Sequence, residues 1–78
     1  MKEVIEMRQK IRLDTMTDIE EFVKKVSSIQ ESVFIEDGKG SRVTAKSLMF
    51  TATAKMCWSD LYVTCDRDIS GSILPWII

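Results

Sequence analysis

The side chains of this chain that could do chemistry are few: two cysteines, several carboxylates near expected turns, a glycine-containing loop and a serine ahead of a helix. Histidine is absent altogether. Cys57 and Cys65 lie eight residues apart, with no imidazole to complete a tetrahedral zinc site. Cys65 continues the apolar alternation of Leu61 and Val63 and reads as a small buried hydrophobe. Cys57, beside Trp58, falls at a helix end where modest thiol reactivity is available but nothing demands it. Glu36, Asp37 and Asp60 have no spacing that puts a carboxylate pair beside a nucleophile or a metal ligand, and read as solvated turn or strand-edge residues. Asp37-Gly38-Lys39-Gly40 lacks a following G-K-[ST] and the strand-to-helix placement of a phosphate cradle, so it reads as a turn. No enzyme, metal or cofactor is expected. Ser47 is left, with its hydroxyl just ahead of Leu48-Met49 where a helix would begin.

Composition narrows the partners. The chain has 78 residues, enough for a single domain over 1–78. Hydrophobic residues make up 45% and charged residues 29%, an ordinary globular balance. Eleven basic against twelve acidic residues leave a net charge of −1, which argues against nucleic acid or an anionic membrane as a partner. The longest apolar run is Ile73-Leu74-Pro75-Trp76-Ile77-Ile78, far short of the roughly 20 residues of a transmembrane helix. The first residues, Met1-Lys2-Glu3-Val4-Ile5-Glu6, carry acids where an export signal would be apolar, so a cytoplasmic protein is expected.

The elements that must position these residues follow from periodicity. Residues 5–13 alternate, with Ile5, Met7, Gln9, Ile11 and Leu13 on one side and Glu6, Arg8, Lys10 and Arg12 on the other, a strand with one wet face. Thr17-Asp18-Ile19-Glu20 matches a capping box and predicts a helix whose inner face is Ile19, Phe22, Val23, Val26 and Ile29. Residues 32–36 predict a second strand, paired antiparallel through the glycine turn with a third over 41–46. That third strand should run straight into a short helix capped by Ser47, with Leu48, Ala52 and Met56 as its apolar stripe. Residues 59–65 predict a fourth strand. Asp68 would then cap a last helix through Ile69, Ile73 and Trp76, kept short or kinked by Gly71 and Pro75. The order is βαββαβα, an α+β open-faced sandwich in which helices cover one face of a four-stranded, mainly antiparallel sheet.

The segment Val43-Thr44-Ala45-Lys46-Ser47-Leu48-Met49 resembles the V-x-x-K-S-[IL]-M segment of the HPr family, the small phosphocarriers of the bacterial sugar phosphotransferase system. Length, element order and the glycine hairpin are similar over nearly the whole chain, so the resemblance implies an open-faced sandwich of HPr type. HPr proteins carry a phosphoryl group on the histidine of a G-[IL]-H-A-R-P segment at the start of the first helix. Here that slot falls on Thr15 or Met16, and Thr17 and Asp18 stand where the family has its arginine. A thioether or an alcohol lacks the nucleophilic, readily leaving imidazole that the relay requires, so phosphocarrier activity is not expected. Ser47 matches the regulatory serine that a dedicated kinase phosphorylates in Gram-positive members. Leu48 and Met49 match positions in the family's docking patch, whereas Phe50 replaces a glycine.

A histidine-free relative with this serine retained is similar to the catabolite-repression members, which bind a transcriptional regulator when phosphorylated. The resemblance thus implies a non-catalytic interaction module, with a transferase component or transcriptional regulator as its protein partner. Thr17, Met49 and Phe50 are the docking candidates, and Ser47 is either a regulatory hydroxyl or an ordinary cap. The alternative is a degenerate domain that binds an unknown protein or itself, as a homodimer, with no link to the transferase system. In that case Ile73 to Ile78 would be the adhesive element, if it does not complete the core instead.

Overall fold

The computed structural model describes residues 7–78. Ile5 and Glu6 of the expected first strand lie outside the described residues. The elements are β1 (Met7–Ile11), α1 (Met16–Ser27), β2 (Val33–Glu36), β3 (Arg42–Thr44), α2 (Leu48–Cys57) and β4 (Leu61–Cys65). All strand pairs are antiparallel, in the order β1-β4-β2-β3. The chain is therefore an α+β domain with an open four-stranded sheet and two helices.

Register divides the sheet into two faces. Gln9, Val63, Ile35 and Val43 form one cross-strand row on the inner face, which buries Ile11, Val33, Ile35, Leu61, Val63 and Cys65. Ile19, Phe22, Val23 and Val26 of α1 and Ala54 of α2 close over it. The outer face carries the rows Arg8-Thr64-Phe34-Thr44 and Lys10-Tyr62-Glu36-Arg42. Its aromatic rings are covered by cations: the Arg42 guanidinium lies 4.2 Å from the Phe34 centroid, and that of Arg8 lies 4.9 Å from Tyr62. The β2–β3 turn needs its glycines, because Gly38 has φ +82° and a methyl there would sit 3.0 Å from Tyr62 Cε2. The Asp37 carboxylate closes this turn by accepting from the Lys39 and Ser41 amides.

Three expectations are corrected. The strand after the turn stops at Thr44, and Ala45-Lys46 make a two-residue turn before α2 in place of a direct junction. The stripe Leu48, Ala52, Met56 is not the buried side of α2, which is Thr51 and Ala54. Thr51 Oγ1 donates to the Ala45 carbonyl at 3.3 Å, and this bond turns α2 so that Met56 faces solvent. The last segment forms two single 3-10 turns, Ser70–Ser72 and Leu74–Trp76, in place of a helix. Gly71 and Pro75 are the causes; the first turn starts from Ile69 without a side-chain cap, and the expected cap Asp68 instead lies one residue earlier, accepting from the Ser70 amide and hydroxyl. Those two bonds hold the Asp68 carboxyl below its ordinary range.

The tail belongs to the fold. Ile69 and Ile73 are buried, and Trp76 meets Phe22 edge to face with centroids 5.4 Å apart. Ile77 bridges to Ile11, the Arg12 amide donates to the Trp76 carbonyl at 2.8 Å, and the Ile78 amide donates to the Lys10 carbonyl. The tail thus covers part of the β1 edge. Trp76→Ala should cost about 1 to 3 kcal/mol in urea unfolding, less than a fully buried tryptophan because the ring is half-buried. It should leave sedimentation unchanged, whereas loss of self-association would restore the tail as an adhesive element.

A polar cluster ties the end of α1 to its neighbours. Lys46 Nζ donates to the Ile29 carbonyl, and Arg67 Nε lies 3.1 Å from Glu31 Oε1. Hydrogen bonds from its own backbone amide and from Arg67, with the nearby charge of Lys46, lower the Glu31 carboxyl below its ordinary 4.5. A depressed carboxylate adds stability above its unfolded pKa and loses it as pH falls through the folded value. Glu31→Gln should therefore be less stable than the parent at neutral pH, with the difference closing below pH 4.5 in urea midpoints taken across the acid range. A constant difference would show that Glu31 contributes packing only.

Candidate functional site

The family-like positions fall at two helix starts. Thr15 is the N-cap of α1 in extended geometry, and Met16 is its first residue, 52% exposed. The capping box is formed by Thr15 and Asp18, not by Thr17 and Glu20 as the sequence suggested. Thr15 Oγ1 accepts from the Asp18 amide at 3.1 Å, and Asp18 Oδ2 accepts from the Asp14 and Thr15 amides at 3.1 and 3.2 Å. The shorter aspartate reaches back as glutamate does in the commoner box, and Thr17 is left exposed in the first turn.

The Asp14 and Thr15 amides, just ahead of α1, hold the Asp18 carboxylate, and the Asp18 amide is held by Thr15 Oγ1. Arg12, three residues before the cap, is paired with Asp14 at 2.7 Å. The start of α1 thus carries the negative charge of Asp18, bonded to the two amides before the helix.

The second position has a different character. Ser47 is the N-cap of α2, half-buried, with Oγ accepting from the Phe50 amide at 3.2 Å. No acidic residue lies in the first turn of α2. The helix dipole and the early amides therefore face Ser47 without a competing carboxylate, in contrast to α1. Next to it, Met49 is 75% and Phe50 51% exposed, and Met56 at the far end of α2 is 84% exposed. Phe50 also lines an apolar cavity of about 170 Å³ with Val43, Thr53, Ala54, Cys57 and Trp58.

The two helices pack against each other. Among the described residues, however, no hydrogen bond joins Ser47 to Thr15, Met16 or Thr17. Sequence reasoning placed Ser47, Met49 and Phe50 on the surface but missed Asp18 as the capping partner, Lys46 as a latch on α1 and Thr51 as the residue that orients α2. A T-x-x-D spacing at 15–18 was the available signal for the first; the other two depend on contacts distant in sequence.

Cys57 is exposed at the last residue of α2 and Cys65 is buried in β4, as their sequence positions indicated. Among the described residues no group of three His, Cys, Asp or Glu side chains comes together, and no helix is long and apolar enough to cross a membrane. Comparison with protein-family models, with curated proteins and with solved structures finds no match to this chain.

The two caps are separable by mutation. Thr15→Ala should lower stability by about 1 kcal/mol in urea unfolding, as loss of an N-cap does. Thr17→Ala should change it by less than about 0.5 kcal/mol, as an exposed substitution does. The reverse ranking would return the cap to Thr17.

Proposed function

We propose that this chain is a non-catalytic regulatory or protein-interaction module of the HPr type, unable to carry phosphohistidine and open to phosphorylation at Ser47. The reading rests on the resemblance of Val43 to Met49 to that family. The observation that carries it is the contrast between the two helix starts. At α1 an aspartate, Asp18, sits in the first turn with its carboxylate on the Asp14 and Thr15 amides, whereas at α2 the Ser47 hydroxyl meets the Phe50 amide with no acid in the first turn.

A phosphate on Ser47 keeps the amide bond and gains the positive end of the helix, so the modification is compatible with the fold. It places about two negative charges beside Leu48, Met49 and Phe50, a patch able to receive a protein partner. That partner is a transferase component or a transcriptional regulator by resemblance. The element order β α β β α β, with both helices on the inner face, supports an open-faced sandwich of this kind, and the two 3-10 turns stand where the family's last helix would be.

A second reading keeps the fold without the transferase link and makes the exposed apolar side of α2 a surface for another protein or a second copy. The test that separates them is incubation with a serine kinase of the HPr type and ATP, followed by intact mass. Uptake of one phosphate that disappears in Ser47→Ala is expected. No uptake, or uptake that survives the substitution, contradicts the regulatory reading and leaves Ser47 as a cap.

A further inference from the structure

The two edges of the sheet differ. The β1 edge is closed by the tail, through the bridge of Ile77 to Ile11 and the Arg12 amide on the Trp76 carbonyl. At the other edge β3 pairs with β2 alone among the described residues. The Asp37 amide donates to the Ser41 carbonyl and the Ala45 amide to the Val33 carbonyl, so bonded pairs fall at every second residue and Val43 is the one bonded to Ile35. Thr44 therefore turns its amide and carbonyl outward, and neither meets a partner among the described residues.

Beside this edge lies an apolar socket. Val43 turns to the inner face, where with Phe50, Thr53, Ala54, Cys57 and Trp58 it lines the cavity of about 170 Å³. That is close to the ~150 Å³ that accommodates a benzene ring. Side chains alternate along a strand, so a strand added at β3 puts the residue level with Val43 at this socket and its two neighbours on the outer face. Charge selects further. From Gly38 to Ser59 the chain carries Lys39, Arg42, Lys46 and Lys55 and no acid, although its net charge is −1. A second copy would bring the same cations to the edge, which opposes pairing of β3 with itself.

We propose that the β3 edge receives an extended acidic segment of a partner protein, added antiparallel as a fifth strand like every other pair of this sheet, with one phenyl-sized apolar side chain in the socket beside α2. Main-chain bonds at Thr44 hold the segment in register. The socket selects its apolar residue, and the exposed Lys39 at the turn draws its acids. The inference goes beyond the Ser47 reading: the site shares Phe50 with that patch and needs no phosphate.

Amide NMR of the full chain titrated with the end-blocked peptide Glu-Thr-Glu-Phe-Glu-Thr-Glu tests it, with folding of each variant checked by circular dichroism. Saturable shifts at Thr44 and along the socket are expected, with slowed exchange of the Thr44 amide. Alanine in place of the peptide's phenylalanine should weaken binding at least about tenfold. N-methylation of the two glutamates flanking it, whose amides face β3, should abolish binding. Thr53→Phe should fill the socket and block the peptide, and Lys39→Glu should weaken binding and flatten its salt dependence; both positions are exposed. No saturable shift, shifts away from β3 and the socket, or binding indifferent to the phenylalanine or to N-methylation overturns the proposal. So does an oligouridylate that takes the peptide's place, or a β3 edge covered by a second copy on concentration. None of these results alters the outcome of the kinase assay, so the two readings fail separately.

Discussion

The placement of α2 depends on one buried hydrogen bond. Thr51 is fully buried, and its hydroxyl donates to the carbonyl of Ala45, itself fully buried and held to β2 through its amide and the Val33 carbonyl at 2.8 Å. A threonine in an apolar interior must spend its hydroxyl on a partner, since leaving it unmade costs about 1 to 3 kcal/mol. Ala45 is the carbonyl that the turn before α2 presents. This bond fixes the rotation of the helix about its axis: Ala54 goes in, and Met49 and Met56 go out. The exposure of Met49 and Met56 follows from that rotation.

The same turn divides the labour of two neighbouring residues. Lys46 points across the fold to the Ile29 carbonyl at the end of α1, where it also contributes to the electrostatics of Glu31. Ser47 caps α2 and borders the exposed apolar side chains. Of this Lys-Ser pair, Lys46 ties α2's entry to the end of α1, while Ser47 holds only the first turn of α2. At the start of α1 the Asp18 carboxylate instead accepts from the Asp14 and Thr15 amides.

Much of the fold was legible because strands with one wet face announce themselves. Arg8 and Lys10 against Ile11, or Val63 and Cys65 in β4, alternate as the pleat requires, and the glycine turn fixes the hairpin between β2 and β3. The inner face of α1 was equally plain, from Ile19 through Val26. What escaped was set by contacts between distant residues. The inward face of α2 is made of a threonine and an alanine, so hydrophobic periodicity selected the bulkier residues that in fact face solvent. The tail looked too apolar to be left alone; its contacts with Phe22 and the β1 edge appear only once α1 and β1 are in place. Of the candidate site, Ser47 was readable as a cap, whereas the closure of the α1 start by Asp18 required the backbone geometry.

On the proposed reading the outer side of α2 is where this chain meets other molecules, while the tail serves the fold. Methyl NMR of the methionines reads this most directly, because Met49 and Met56 lie on that side and Met7 packs against the core. After treatment with a serine kinase and ATP, the account predicts that the Met49 methyl signal moves while Met7 stays fixed. Shifts confined to Met7, or no shift at Met49, would contradict it.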